Sequence, residues 1–245
     1  MTDHTAPTTS SSTITIQRAD ERFVTNIGWL DSKHSFNFGE HWSPEHTGHG
    51  LLLVNNDDIV APAQGFGTHG HRNMEIVTWV LSGTLEHRDS EGNHGTLYPG
   101  LAQRMSAGRG IRHSEMNPSP DTPVHFVQMW VLPDTDEIDP GYEQRDVNDA
   151  LGRGGLVPIA SGKGHPDAIT IHQRGAVLWG ARLRQGEAIE VPRGGHVHVF
   201  VALGSGTLAS AGALSAGDAV RLTNADAGTF TADEDGTELL IWETS

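Results

Sequence analysis

The chain has 245 residues, longer than most single domains, and its 16 Lys and Arg against 31 Asp and Glu give a formal charge of -15. Two domains of about 120 residues each are the first expectation. The acidic balance disfavours binding to nucleic acid or to anionic membranes, and the absence of cysteine excludes disulfides and thiolate metal ligands.

Residues 1–13 form a polar, Thr- and Ser-rich stretch that has neither a cationic start nor an apolar run. Such a composition predicts a disordered tail and no export signal. No run of about 18 uncharged apolar residues occurs anywhere, so a membrane span is not expected. We therefore expect a cytoplasmic protein whose folded part starts near residue 14.

From residue 14 to 133, short apolar runs such as 76–81 and 124–131 alternate with clusters of Gly, Asn, Asp and Pro. This pattern is typical of the strands of a sandwich or barrel. Residues 134–165 are acidic and rich in Gly and Pro, which predicts an interdomain connection, with a helical turn at 147–151. Short apolar runs resume over 166–245. The sequence thus predicts an all-β fold of two tandem domains.

Histidine is unusually frequent, with 15 in the chain, and imidazole is the commonest metal ligand in proteins. His69 and His71 are two residues apart, which on a strand puts both side chains on one face, about 6.6 Å from each other. His113 and Glu115 repeat that spacing further along the chain. Two neighbouring strands with such pairs would surround one cation with three nitrogens and one oxygen, so we expect a metal site of these four residues.

The second half contains a similar pair, His196 and His198, followed by Gly204 as the first pair is followed by Gly83. This loose internal repeat suggests a duplication. Because no later histidine and glutamate complete the second pair, we expect one metal site and none in the second domain. Three other histidines are expected to be surface or hydrogen-bonding residues without a role at the site: His87, His94 and His125.

Several strings are more specific than the paired histidines. Two of them, GFGTHGH at 65–71 and GIRHSEMN at 110–117, resemble the two metal-binding motifs of cupins. Others, MSAGRG at 105–110, LEHRDS at 85–90 and GWLD at 28–31, are similar to pirins in particular, closely over residues 22–133 and loosely beyond. The resemblance implies a bicupin, two jelly-roll barrels in one chain, with His69, His71, His113 and Glu115 as metal ligands in the first barrel and no metal in the second.

Two analogies disagree on the carboxylate ligand. In many cupins the first motif supplies it, which here is Glu75, whereas in pirins the second motif does, which is Glu115. We favour Glu115 because it shares a strand face with His113, and we expect Glu75 to make hydrogen bonds behind the ligands. The chain departs from pirins at Gly70, where proline is usual, and glycine would loosen the strand that carries two ligands.

Nitrogen and carboxylate ligands suit iron, manganese, nickel, copper or zinc, and iron(II) is our first choice for one divalent ion. Four protein ligands would leave about two positions of an octahedral ion open. Some pirins resemble quercetinases, so the resemblance implies ring cleavage of quercetin or another flavonol with dioxygen. Glu115 would then be the catalytic base that takes the proton of the substrate 3-hydroxyl.

The resemblance also implies a competing role, because other pirins bind transcription factors or metabolic enzymes. In that role the oxidation state of the metal would set the surface that a regulatory protein partner contacts, and the acidic charge would favour a basic partner. A third possibility is a metal that only stabilises the barrel. We favour the dioxygenase. Either leading role needs an open metal site, and catalysis requires no further feature of the chain.

Overall fold

The computed structural model of the chain describes residues 11–245, so residues 1–10 of the predicted tail lie outside the described residues. Within this range nearly all regular structure is strand, as predicted, and no helix is long and apolar enough to cross a membrane. The helices are a 3-10 helix (Ala19–Glu21) and α1 (Asn148–Leu151), the latter where the sequence predicts a helical turn. The strands are β1 (Thr13–Gln17), β2 (Phe23–Asn26), β3 (Leu30–His34), β4 (Leu52–Val60), β5 (Gly65–His71), β6 (Glu75–Ser82), β7 (Leu85–Asp89), β8 (His94–Leu97), β9 (Leu101–Ser106), β10 (Ile111–Met116), β11 (Val124–Val131), β12 (Gly141–Asp146), β13 (Val157–Ser161), β14 (Ile169–Thr170), β15 (Ala176–Leu183), β16 (Ala188–Glu190), β17 (His196–Leu203), β18 (Ser205–Leu208), β19 (Gly212–Ser215), β20 (Ala219–Thr223), β21 (Thr229–Ala232) and β22 (Thr237–Thr244).

The strands form two pairs of sheets with the same plan. In the first pair, a seven-stranded sheet has the order β12-β9-β6-β11-β4-β3-β2 and a four-stranded sheet has the order β5-β10-β7-β8. In the second pair, the orders are β1-β20-β17-β22-β15-β13-β14 and β16-β21-β18-β19. Each pair makes one jelly-roll barrel, so the predicted all-β architecture of two tandem barrels is confirmed.

Strand pairing divides the chain differently from the predicted bounds of 14–133, 134–165 and 166–245. β1, at the start of the described chain, pairs antiparallel with β20 of the second barrel, from Thr13 opposite Thr223 to Gln17 opposite Ala219. β12, inside the predicted connection, pairs with β9 of the first barrel, and β13 pairs with β15 of the second. The pairings of β1 and β12 cover sheet edges with segments distant in sequence, so no local pattern indicates them.

A large apolar core lies between the two barrels. Alternate residues of β6 and β11 on the outer face of the first seven-stranded sheet pack into one cluster with residues of β17 and β22. Trp79 and Met129 of the first barrel and Phe200 and Trp242 of the second are buried in it, and Trp79 Nε1 donates to Glu238 Oε1 at 2.5 Å. Because β6 is buried on both faces, its sequence is a continuous apolar run rather than an alternating one.

The interiors of the two barrels differ. Apolar side chains fill the second barrel, among them Ile189 of β16 and Phe230 of β21. In the first barrel the apolar interior is confined to two smaller clusters, one around Phe126 and one around Met105. Polar side chains line the rest of that interior and enclose a cavity.

The sheet order also corrects the internal repeat expected from the sequence. β5, which carries His69 and His71, has the place in the first barrel that β16 has in the second, whereas His196 and His198 lie on β17, the counterpart of β6. The expected match of the two histidine pairs is therefore wrong. Gly83 and Gly204 do follow equivalent strands, β6 and β17, but His69 and His71 lie on β5, one strand before β6, whereas His196 and His198 lie on β17 itself. The two pairs are therefore not equivalent positions of the fold.

Candidate metal centre

The antiparallel pairing of β5 and β10 brings three of the predicted residues together. His69 and His71 lie two residues apart on β5, and His113 of β10 stands opposite His69 in the ladder. One ring nitrogen of each lies within 4.8 Å of the other two. A bulge follows between His113 and Glu115, where the partner strand advances from His69 to Phe66. Bulges re-aim side chains beside functional sites, and this one lies between the third histidine and the predicted carboxylate ligand.

The nitrogens of this histidine cluster (His69, His71 and His113) have lone pairs available. His69 Nδ1 donates to the carbonyl oxygen of Gly67 at 2.8 Å, so the neutral ring has its lone pair on Nε2. Nε2 of His71 and Nε2 of His113 are buried and have no hydrogen-bond partner among the described residues. Buried polar atoms are rarely left unpaired, and a bound cation would satisfy both nitrogens.

Burial keeps two of these rings neutral. It lowers the pKa of His71 to about 4, with the neighbouring His113 and His69 adding to the effect. It also lowers the pKa of His113 to about 3, with His69 and His87 adding to the effect. At neutral pH a cation therefore has no proton to displace from either ring. Because neutral imidazole is the ligating form, the cluster fits a divalent transition metal ion.

Glu115 lies at the edge of the histidine cluster, with Oε2 4.0 Å from Nε2 of His113. Gln128 Nε2 donates to both carboxylate oxygens, at 2.8 and 2.9 Å, and so links β11 of one sheet to β10 of the other. Trp130 Nε1 in turn donates to Gln128 Oε1 at 3.1 Å. These bonds fix the carboxylate beside the cluster. A carboxylate has about four acceptor positions, so the bonds from Gln128 leave some available to a cation.

Glu75, the alternative carboxylate, lies in a different environment. It is buried at the start of β6, where Oε2 accepts hydrogen bonds from Ser106 Oγ at 2.9 Å and from the backbone N–H of His172 at 3.0 Å. These bonds tie the first barrel to the second half of the chain. The predicted hydrogen bonding of Glu75 is thus directed to the contact between the barrels rather than to the three histidines.

A further histidine, which the sequence pattern does not assign to the site, lies behind the cluster. His87 of β7 is buried, its Nδ1 lies 3.5 Å from Nδ1 of His113, and its Nε2 lies 3.1 Å from Oδ2 of Asp89. Burial alone would raise the pKa of Asp89, but hydrogen bonds from Asn93 and His87 hold it below its ordinary value. His87 therefore donates through Nε2 to the carboxylate and accepts through Nδ1 from His113, which leaves the lone pair of His113 on Nε2.

A signal for this pair was present in the sequence. His87 and Asp89 have the i, i+2 spacing within the pirin-like string at 85–90, so both side chains point to the same face of β7. What the sequence did not show is that β7 pairs with β10, with Asp89 opposite His113. Only that pairing brings the two side chains behind a candidate ligand.

The histidine cluster opens into a cavity of about 660 Å³ inside the first barrel. Aromatic side chains line part of it, namely Phe38, Phe66 and Trp130. His69 and His71 lie on the wall formed by the four-stranded sheet, and the facing seven-stranded sheet supplies further polar residues. Cavities of roughly 300–1,000 Å³ hold small organic ligands, so the barrel offers a metal-ligating wall beside an aromatic space of that size.

Two barrels of one plan, with a histidine cluster on paired strands inside the first, define this chain as a two-domain cupin. Comparison with known families agrees with this class. The family described as Pirin matches residues 16–131, and the family described as Quercetinase C-terminal cupin domain matches residues 158–243.

Relatives of known name extend the match to nearly the whole chain. A Mycobacterium tuberculosis protein whose name gives quercetin 2,3-dioxygenase as a provisional activity is 57% identical, over 95% of this chain and 96% of that protein. Quercetin 2,3-dioxygenase of Escherichia coli strain K12 is 37% identical, over 93% of this chain and 97% of that protein. The chain therefore belongs to the pirin family, as the sequence resemblance predicts. The crystal structure of the bacterial pirin YhhW from Escherichia coli in complex with nickel(II) matches with a TM-score of 0.85 and 36% identity, over 95% of this chain and 99% of that chain.

Proposed function

We propose that this protein is a metal-dependent dioxygenase that opens the ring of quercetin or a related flavonol. The observation that carries the proposal is the convergence of three imidazoles, two of them with unpartnered buried nitrogens, on the wall of an aromatic-lined cavity. The names of the two relatives support this chemistry, since both give quercetin 2,3-dioxygenase as the activity.

His69, His71, His113 and Glu115 would hold the ion, and we propose iron(II) as its identity. The same set of nitrogen and oxygen ligands suits manganese, nickel, copper and zinc, and nickel(II) is the ion in the YhhW complex. When bound, the ion would act as a Lewis acid that favours the ionised form of a substrate hydroxyl. Elemental analysis of the purified protein would identify the ion.

We propose Glu115 as the residue that accepts the proton that the reaction must remove. In the proposed reaction a carboxylate oxygen of Glu115 takes the proton of the flavonol 3-hydroxyl as general base. Gln128, through its two hydrogen bonds, keeps the carboxylate from rotating away from the cavity. Phe38, Phe66 and Trp130 would pack against the planar rings of the substrate and exclude water from the site.

Turnover of quercetin by the metal-loaded protein tests this function. We expect consumption of dioxygen and release of carbon monoxide, and Glu115→Gln should lower the rate by about 100-fold or more because the general base is lost. The matched control is Glu86→Gln, the same change at a partly exposed position of the adjacent β7, which should retain the activity. If none of the five metals supports turnover while the protein remains folded, the enzymatic proposal is wrong.

A further inference from the structure

The wall of the cavity that faces the histidine cluster is also polar. It is formed by β3 and β4 of the seven-stranded sheet, where Ser32 stands opposite Asp58 and His34 stands opposite Asn56. Because side chains alternate along a strand, all four project from the same face of the sheet, and all four line the cavity. Asn56 in turn stands opposite Gln128 of β11, the residue that holds Glu115.

Hydrogen bonds hold this wall in one arrangement. Ser32 Oγ donates to Oδ1 of Asp58. His34 Nδ1 donates to Asn56 Oδ1 at 2.8 Å, so its Nε2 accepts from the hydroxyl of Thr25 at 2.9 Å, and that hydroxyl accepts from His41 Nε2 at 3.0 Å. A cavity wall whose polar groups are fixed before a ligand arrives can bind it with little loss of conformational entropy.

In the other barrel the strand that corresponds to β4 contributes apolar side chains to the core. Ser32, His34, Asn56 and Asp58 are all less than 5% exposed, and burying polar groups costs free energy that apolar residues would not. In the second barrel β15 has the place of β4, and its Ala181 and Leu183 belong to the apolar core. A jelly roll of this plan therefore does not require a polar wall, which points to a role in ligand binding.

Asp58 can act as donor and as acceptor at neutral pH. Burial raises its pKa to about 7, against the hydrogen bond from Ser32, and the charges of Asp57 and Glu115 raise it further. A carboxyl group that is partly protonated at pH 7 can donate to a carbonyl or phenolate oxygen and can accept from a phenolic hydroxyl.

We propose that Asp58 and Asn56 form a second polar subsite, which binds a hydroxyl group on a ring of the aromatic substrate remote from the group that meets the metal centre. This inference rests on the proposed function and narrows its substrate class to flavonols that carry hydroxyl groups on their outer rings. Phe38, Phe66 and Trp130, which line the same cavity, contact the ring system, while the polar walls select for oxygen substituents at both of its sides.

Ligand binding to the metal-loaded protein without dioxygen tests the subsite separately from turnover. The probes are quercetin and 3-hydroxyflavone, which share the 3-hydroxyl and the carbonyl but differ in the hydroxyl groups on their outer rings. We expect the wild type to bind quercetin more tightly. Asp58→Leu should lower this preference by about tenfold or more, because a buried hydrogen-bonding partner is removed, with the affinity for 3-hydroxyflavone changed less than about twofold.

Two further variants make the result specific. Asp58→Asn keeps the shape of the side chain and can still donate and accept hydrogen bonds, so it should retain part of the preference. A retained preference in Asp58→Asn would show that a loss in Asp58→Leu comes from the missing hydrogen bond rather than from misfolding. Asp31→Asn removes the same charge from the outer face of β3, where Asp31 stands opposite the exposed Ile59, and should leave the preference unchanged.

The outcomes separate the two proposals. If the wild type binds both flavonols and Asp58→Leu keeps the wild-type preference, or loses affinity for both flavonols equally, the subsite does not exist and the proposed function stands. If the wild type binds both equally, the subsite is likewise excluded. If the metal-loaded wild type binds neither flavonol, the proposed function and the subsite fail together.

Discussion

The two barrels share one strand order and differ in the residues that occupy it. In the first barrel, the paired strands β5 and β10 carry the histidine cluster of His69, His71 and His113. In the second barrel, the corresponding pair of β16 and β21 places Ile189 opposite Phe230, and both belong to the apolar core. One barrel is thus filled and the other is left with a polar cavity, which shows that the jelly roll fixes positions while the side chains at a few of them determine the chemistry.

The second histidine pair sharpens this comparison. His198 is buried between the barrels beside Phe36 and Phe200, and neither of its ring nitrogens has a hydrogen-bond partner among the described residues. Burial, together with the charge of Arg221, holds its pKa well below the ordinary value. Among the described residues, the only group of three or more side chains that could hold a metal is the one in the first barrel.

The largest expected effect is the loss of metal affinity when a histidine of the cluster is replaced, compared with the same replacement at a histidine of the second barrel. His113→Phe should lower metal affinity by more than about 100-fold, since loss of a ligand should cost more than loss of a residue that only supports one. His198→Phe should leave metal content unchanged. Metal analysis after dialysis, with circular dichroism to verify folding, measures both. Equal metal content in the two variants would contradict the proposal that the first barrel binds the metal and the second does not.

The residues behind the cluster should have a smaller effect. His87→Phe and Asp89→Asn disturb the hydrogen bonds that leave the lone pair of His113 on Nε2, so we expect each to lower metal affinity by about 10–100-fold. Competition with a chelator of known affinity measures this. His94→Phe, on the partly exposed β8, is the matched control and should bind metal as the wild type does. Wild-type affinity in both His87→Phe and Asp89→Asn would show that His113 is oriented without them.

The buried His198 should make stability depend on pH. In the folded protein it stays neutral, whereas in the unfolded chain it titrates near its ordinary pKa of 6.5. Below that pH the unfolded chain binds a proton that the folded state does not, so the free energy of unfolding falls as pH falls, by up to about 1.4 kcal/mol per pH unit for one histidine.

We expect His198→Phe to weaken this dependence. Urea unfolding of metal-free protein between about pH 7 and pH 5 gives the slope for each protein. The variant should lose stability more slowly than the wild type as the pH falls below about 6.5. Identical slopes would mean that His198 gains a proton in the folded state as readily as in the unfolded chain.

The smallest predicted effect concerns the strand that carries two of the histidines. A Cβ at Gly70 would meet the carbonyl oxygen of Ile111 at 3.6 Å, an ordinary contact, so Gly70→Ala should raise the free energy of unfolding by about 0.5–1 kcal/mol by restricting the unfolded chain. Gly65→Ala on the same strand is the contrasting variant. The added Cβ would overlap the backbone of Glu115 and Met116, at only 2.6 Å from Cα of Met116. We therefore expect Gly65→Ala to destabilise the protein. Thermal unfolding distinguishes a gain from a loss.

Local patterns predicted the fold class, the family and the three clustered histidines, because alternation along single strands determines which residues share a face. They did not predict the placement of β1 in the second barrel or of β12 in the first, since both depend on pairing between distant segments. For the same reason they gave no role to His87, which reaches His113 only because β7 pairs with β10. The polar wall on β3 and β4 was likewise unforeseen, because only the pairing of these two strands brings Ser32 opposite Asp58 and His34 opposite Asn56.

The most direct test of the metal centre is anomalous diffraction from crystals of the protein loaded anaerobically with iron(II). The account predicts one iron peak in the first barrel, within bonding distance of a nitrogen of each of His69, His71 and His113 and of an oxygen of Glu115. It predicts none beside His196 and His198. A peak bound by other residues, or well-ordered density for all four side chains with no ion between them, would contradict it.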